Sequence, residues 1–284
     1  TLDAVRKARY SPLLASHGLS TDGGKAARVE NQAPKPPTLE QCPAQPPADA
    51  AFTDLGAAVL DGIERYGLDG FQPGDAVIMN HAQVCGQHLN NIVIYTPCFH
   101  DGKLVAFAAN RAHWVDIGGT RVGFGSYATN EIFQEGLQFR SIKIYEAGKR
   151  NDAVWQILLD NLRFPESSLG DLRAQMASCT LGERRLGEIL GRYGISTVKS
   201  CITEIWDQAE VEAREIVAGI PDGIYRAGSL LDNDGRTLDK PLHIKVTVTV
   251  AGDEMTIDYS DMNPQVPTPL NSGYSGGFIE NPSY

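Results

Sequence analysis

Apolar positions along the chain change period several times, and each change marks a predicted element. In residues 51–66, AFTDLGAAVLDGIERY, Leu55, Val59, Leu60 and Ile63 recur at helical spacing. Residues 73–119 then carry two apolar runs of strand length, separated by His100-Asp101-Gly102-Lys103. An Asp-Gly pair between two such runs predicts a tight antiparallel hairpin. Phe139, Ile142 and Ile144 predict a further strand after a short turn. From 151 to 219 the period returns to helical. Asn151 stands as an N-cap before an apolar face of Val154, Ile157 and Leu158, and Pro165 stops that helix. A second helix follows through Leu172, Met176, Cys179, Leu186 and Ile189, and a third ends at Gly219 and Pro221. Their long charged faces read as structural. The last third reverts to strands. GIYRAGSLLD precedes a run in which Ile244, Val246, Val248 and Val250 alternate with polar residues up to a Gly252-Asp253 turn, which predicts a hairpin with one buried face.

The flanks are different. Residues 1–18 predict a short helix carrying Leu2, Val5, Leu13 and Leu14. Residues 19–50 hold six of the chain's 16 prolines together with Gly23 and Gly24, so they read as an extended arm without a core of its own, lying across neighbouring polypeptide. The final residues contain no evident closing element, which suggests a split subunit, a truncation, or a domain finished by another chain. The expected organisation is therefore an N-terminal helix and Pro-rich arm over 1–50 and a partial domain over 51–284, with its helical segment at 151–219. The fold class is α+β: mixed, largely antiparallel sheets with hairpins plus a central helical segment, part of a larger multi-subunit fold.

Composition narrows the partners. The 284 residues are enough to bury a substantial core, and 25 basic against 35 acidic residues give a formal charge of −10. With no basic stripe, nucleic acid and anionic membrane surfaces are excluded as main partners. No apolar stretch approaches the roughly 20 residues of a membrane span. Five widely spaced cysteines, with no CxxC pair, point to a reduced cytoplasmic protein rather than a disulfide framework.

The chemistry-bearing residues concentrate around the first hairpin. His88 and Asn91 precede its first strand, and His113 and Asp116 follow its second. Antiparallel pairing brings those outer ends together, so His88 and His113 converge although 25 residues separate them. Two imidazoles and a carboxylate suit zinc, iron or manganese and leave a position open for water or substrate. The same residues also admit a plainer account: one packed histidine, one surface histidine, and Asp116 capping the glycines that follow. Cys85, beside Gly86 and His88, is either a thiol nucleophile or a small packed residue in a turn. Residues 118–127, GGTRVGFGSY, read as a mobile connection. They lack the Lys-Ser/Thr and the strand-loop-helix frame of a phosphate loop. Glu131 and Glu135, with Gln134 between them, could serve acid/base chemistry or simply be solvated.

Between about Pro73 and Asn271 the chain resembles the hydantoinase B/oxoprolinase family. The similar stretches, in the family's order, are PGDAVIMN, GQHLNNIVIYTPCFHDGKLVAFAANRAHWVDIGG, EIFQEGL with IKIYEAG, GDLRAQMASCTLGERRL, IPDGIYRA, and VTVTVAGDEMTIDYSDMNPQV with PLN. The family includes subunits of N-methylhydantoinase, caprolactamase and the acetone and acetophenone carboxylases. The resemblance implies a subunit of an ATP-dependent hetero-oligomer acting on a small carbonyl substrate. A hydantoinase A-type partner subunit would bind ATP and Mg and phosphorylate the carbonyl oxygen. Hydrolysis of a cyclic amide, or carboxylation of a ketone, would follow at a site built partly by this chain. The noncatalytic alternative is a scaffold that keeps the fold and docks an active paralogue. The resemblance also implies a divalent metal, Zn or Mn, at His88, Asn91, His113 and Asp116, with His113, Asp116 and His88 as catalytic residues. Three departures bear on it. Asn80-His81-Ala82 replaces Asn-Asp-Pro, Asn90-Asn91 replaces Pro-Asp after His88-Leu89, and Trp114 replaces the second of two adjacent histidines. An amide in place of a carboxylate lowers affinity for a divalent cation, unless His81 points inward, and tilts the expectation toward carboxylation.

Overall fold

The computed structural model describes residues 54–85, 88–123, 129–268 and 270. The expected N-terminal helix, the Pro-rich arm, Cys42 and the last fourteen residues lie outside them.

Five antiparallel strands form the main sheet: β1 (Ala76–Met79), β2 (Asn91–His100), β3 (Lys103–His113), β4 (Ile142–Glu146) and β5 (Lys149–Arg150), in the order β3-β2-β1-β4-β5. The β2–β3 hairpin turns on Asp101 and Gly102, with φ of 49° and 74°. Two consecutive positive φ values give the turn whose twist matches that of the flanking strands, as the Asp-Gly pair predicts.

Alternation along these strands supplies two apolar faces. Ala76, Ile78, Ile92, Ile94 and Ile144 lie on one, packed with Trp155, Leu158, Leu169, Leu172 and Cys179 from helices α3 (Asp152–Asn161) and α4 (Pro165–Tyr193). Val77, Met79, Val93 and Tyr95 lie on the other, against Ala58 of helix α1 (Asp54–Tyr66), with Leu55, Val59, Ile63 and Tyr66 at its edge. Cys85, ending the short helix α2 (Ala82–Cys85), is buried in this second cluster. Of the two readings of Cys85, the packed small residue is therefore the one observed.

Helix α3 begins as predicted: Asn151 Oδ1 accepts from Val154 N at 3.4 Å. Its buried face differs, with Trp155 in the core while Ile157 is 47% exposed. Helix α4 starts with Pro165 in its first turn, where a missing N–H costs nothing. It buries Ser168, Leu169, Leu172, Gln175, Cys179 and Leu190, while Ile189 is exposed. Gly194, at φ 78°, joins it to α5 (Ile195–Ala218), which has no buried residue among those described.

A second sheet, β6 (Gly223–Leu231), β7 (Leu242–Ala251) and β8 (Glu254–Asp258), is a meander in that order, with Gly252 at φ 63° in its tight turn. The predicted alternation is present on β7 but only partly covered: Leu242 and Val250 are buried and Ile244, Val246 and Val248 half-buried, while Ile224, Leu230 and Ile257 on the flanking strands stand at least half exposed. Alternation records which face is apolar, not that something covers it. No helix among the described residues is long and apolar enough to cross a membrane.

Candidate functional site

The open end of the β2–β3 hairpin carries the candidate site. Asn91 and His113 are its last register pair, directly opposite one another. His88 lies just before β2, where its carbonyl accepts from Asn91 N at 3.1 Å. The imidazole rings of His88 and His113 have their centroids 4.9 Å apart, tilted by 56°. Convergence across 25 residues of sequence is therefore observed for these two, as the hairpin predicts. Register adds a residue that sequence reading missed. Arg111 pairs with Val93, two positions along from Asn91 and His113, so it shares their face. Strand register is the signal that would have found it. His113 and Arg111 are exposed, and His88 and Asn91 half-buried. Burial, with His113 and Arg111 adding to it, lowers the pKa of His88 to about 4.

Asp116 does not join this group. Its side chain is fully buried, and its oxygens accept from Gly118 N at 3.1 Å, Phe164 N at 3.2 Å, Arg163 N, and the Arg163 guanidinium at 3.1 Å. Burial raises the Asp116 pKa, but the hydrogen bonds from Gly118, Arg163 and Phe164 outweigh it and hold the carboxyl below the usual range. Asp116 thus anchors the loop that enters α4. It does cap the following glycines, as the plainer account has it. Among the described residues, no group of three or more His, Cys, Asp or Glu is placed to hold a metal ion. Of the expected set His88, Asn91, His113 and Asp116, the two imidazoles stand together, Asn91 is the register partner of His113, and the Asp116 oxygens are hydrogen-bonded to Gly118, Arg163 and Phe164.

Trp114 is also on the other side. It follows His113 by one residue, so its side chain leaves the opposite face of the strand. It is completely buried in the helix-covered core, with its indole N–H donating to Gln175 Oε1 at 2.8 Å. Burial lowers the pKa of His81, Arg140 adds to this and Asp61 opposes it.

Two buried asparagines hold the hairpin end in place. Asn80 Nδ2 donates to the carbonyls of Leu89 at 2.8 Å and Leu137 at 2.9 Å, and its Oδ1 accepts from Phe139 N at 2.6 Å. Asn90 Nδ2 donates to Trp114 O at 2.7 Å. Asn90 also lines an open cleft with Thr120, Arg121, Thr129, Gln134 and Glu135. Glu135 has its pKa raised by burial, whereas Glu131 is exposed. Gly118 and Gly119 of the 118–127 stretch sit in a close-packed turn, whereas nothing lies within 4 Å of the place a Cβ on Gly123 would take, and residues 124–128 lie outside those described. A Cβ on Gly119 would stand 2.1 Å from Glu135 O, and Gly118 bridges to Gly136.

The family model for hydantoinase B/oxoprolinase matches residues 45–278. The chain belongs to that family. It is 36% identical over 211 residues to the caprolactamase subunit beta of Pseudomonas jessenii, covering 74% of this chain and 36% of that one. It is 29% identical over 211 residues to the acetophenone carboxylase delta subunit of Aromatoleum aromaticum, covering 74% and 31%. In three dimensions it resembles the crystal structure of the ATP-dependent caprolactamase from Pseudomonas jessenii with a TM-score of 0.70 and 33% identity, covering 78% of this chain and 38% of that one. The chain therefore spans about a third of the length of each of these relatives. The α+β architecture of helices and antiparallel sheets is that of this relative.

Proposed function

We propose that this chain is a part of the B-type subunit of an ATP-dependent, multi-subunit enzyme that hydrolyses a cyclic amide through a phosphorylated carbonyl intermediate. The observation that carries this reading is the 36% identity to a caprolactamase subunit, against 29% to a carboxylase subunit, over the same share of the chain. ATP and Mg belong to a hydantoinase A-type partner, which phosphorylates the carbonyl oxygen. His88 and His113 are the residues of this chain that face the substrate. Half-buried His88, its pKa lowered to about 4, is a neutral imidazole that hydrogen-bonds and orients an attacking water. Asp116 and Asn91 act by position: the first fixes the loop leaving His113, and the second sits opposite it. Zn or Mn, if bound, would be held by His88 and His113 with Asn91 as a neutral oxygen donor.

Ketone carboxylation is the second reading, supported by the carboxylase relative. Both are tested by assaying ATP turnover of the purified complex with lactams, hydantoins, and alkyl or aryl ketones, with and without bicarbonate. Lactam- or hydantoin-dependent turnover is expected. Bicarbonate-dependent turnover with a ketone would replace hydrolysis by carboxylation, and silence throughout would remove the enzyme reading. A noncatalytic scaffold would keep complex activity intact in His113→Ala. The chain is also expected to co-purify with an ATP-binding subunit. A single 30.8 kDa species in light scattering, active alone, would overturn the hetero-oligomer.

A further inference from the structure

The residues that meet at the open end of the β2–β3 hairpin have the wrong charge for a divalent cation. His88 and His113 lie with ring centroids 4.9 Å apart, Asn91 is the register partner of His113, and Arg111 lies two residues along the same strand on the same face. Neighbours two apart on a strand are about 7 Å apart along it, well within the reach of an arginine side chain. The groups are two imidazoles, a guanidinium and a neutral amide. Among the described residues, no group of His, Cys, Asp and Glu suited to metal binding includes them, and the carboxylate nearest in sequence, Asp116, is consumed by Gly118, Arg163 and Phe164.

We infer that this hairpin end is an oxyanion-binding site, in which the Arg111 guanidinium, the His88 and His113 imidazoles and the Asn91 amide take the oxygens of a phosphoryl or carboxylate group. A guanidinium presents a planar fork of N–H donors that matches such oxygens and repels a bare cation. The His113 imidazole and the Asn91 amide, paired on the ladder, are further donors, with the His88 imidazole beside them. The inference names the ligand class of the site proposed above and rests on that reading only for the identity of the natural ligand. Under that reading the oxyanion is the phosphoryl group carried by the activated carbonyl or the carboxylate released from it.

Titration calorimetry on the purified chain, with any subunits that co-purify, separates the possibilities. Inorganic phosphate, bicarbonate, MnCl₂ and ZnCl₂ are used as separate probes, with metal content measured beforehand. Phosphate or bicarbonate is expected to bind, and Arg111→Gln to weaken that binding by about tenfold or more. The Arg111 side chain is exposed, so this variant retains the fold. Asn91→Asp is expected to weaken the anion by a similar factor and to gain Mn or Zn binding, because it restores a carboxylate beside two imidazoles. Stoichiometric metal in the unaltered chain would overturn the inference. So would an absence of anion binding, or anion binding indifferent to both substitutions. Loss of ATP-dependent turnover with intact anion binding would count against the proposed reaction only.

Discussion

Trp114 and Gln175 meet in the core, the indole N–H donating to the amide oxygen at 2.8 Å. Gln175 Nε2 in turn donates to Ile92 O at 2.9 Å and to Asn110 Oδ1 at 3.0 Å, so one side chain of α4 ties the ends of β2 and β3 together. A buried amide with all its partners present stiffens the element that carries it. Gln175→Leu would orphan the Trp114 donor and the Asn110 acceptor at roughly 1–3 kcal/mol each. Urea denaturation is expected to report a loss of about 2–5 kcal/mol. A change below about 0.5 kcal/mol would mean that the network is not formed.

Trp114→His tests what the indole is for. If the tryptophan had displaced a metal ligand, restoring histidine would raise metal affinity. Because Trp114 lies in the core on the face opposite His113, the variant is expected to lose roughly 3 kcal/mol or more, as large-to-small core changes do. Its metal content is expected to stay that of the parent, measured by elemental analysis.

Asp116 sets the acid limb of stability. A carboxyl whose native pKa lies below its unfolded value contributes stability that is present above the unfolded pKa, about 3.9 for Asp. That stability is lost as pH falls through the native pKa. Asp116→Asn should therefore destabilise the chain at pH 7 by about 1–3 kcal/mol, the scale of buried hydrogen bonds left poorly satisfied. It should also flatten the stability profile below pH 4, read from urea midpoints at successive pH values.

Much of this architecture is legible in residue pattern. The Asp101-Gly102 turn, the Asn151 cap and the Gly219 stop are local signals, and local chemistry decides them. Helix faces are less so: the period of α3 allowed Ile157, yet Trp155 is what fills the space under Tyr145, with rings 6.1 Å apart. Sheet shape, not helix period, selects between neighbouring apolar residues. The pairing of His88 with His113 follows from the hairpin. The divergence of Asp116 depends on Arg163, 47 residues away, and no spacing rule reaches that far. Arg111 was visible only once register paired it with Val93.

Gly119→Ala probes the wall of the cleft. The added Cβ would press on the Glu135 carbonyl, a backbone atom that cannot swing aside. Overpacking of this kind costs about 1–3 kcal/mol, and the Gly118–Gly136 bridge beside it should open. Amide exchange at Thr120, whose N–H donates to Gln134 O at 2.8 Å, is expected to accelerate. Unchanged protection there would show that the turn relaxes without cost.

Glu135 should respond to pH in the sense opposite to Asp116. Burial is what raises its pKa, and a carboxyl raised in the native state binds its proton more tightly folded than unfolded. Its contribution is then complete below the unfolded pKa, about 4.3 for Glu, and disappears as pH climbs through the native value. Above the native pKa the chain carries a partly desolvated carboxylate at this position. Glu135→Gln, which keeps the shape and removes the charge, is expected to leave stability unchanged or slightly increased at pH 7, and to abolish its decline between pH 4 and the native pKa. Asp116→Asn and Glu135→Gln thus form a pair of isosteric changes to two acids. Denaturation across pH 3–8 should show the first lowering the neutral plateau and the second raising or preserving it. If Glu135→Gln instead lowered the plateau as Asp116→Asn does, Glu135 would have to be held charged by a cation, and Arg121 across the same cleft would be the group to substitute next.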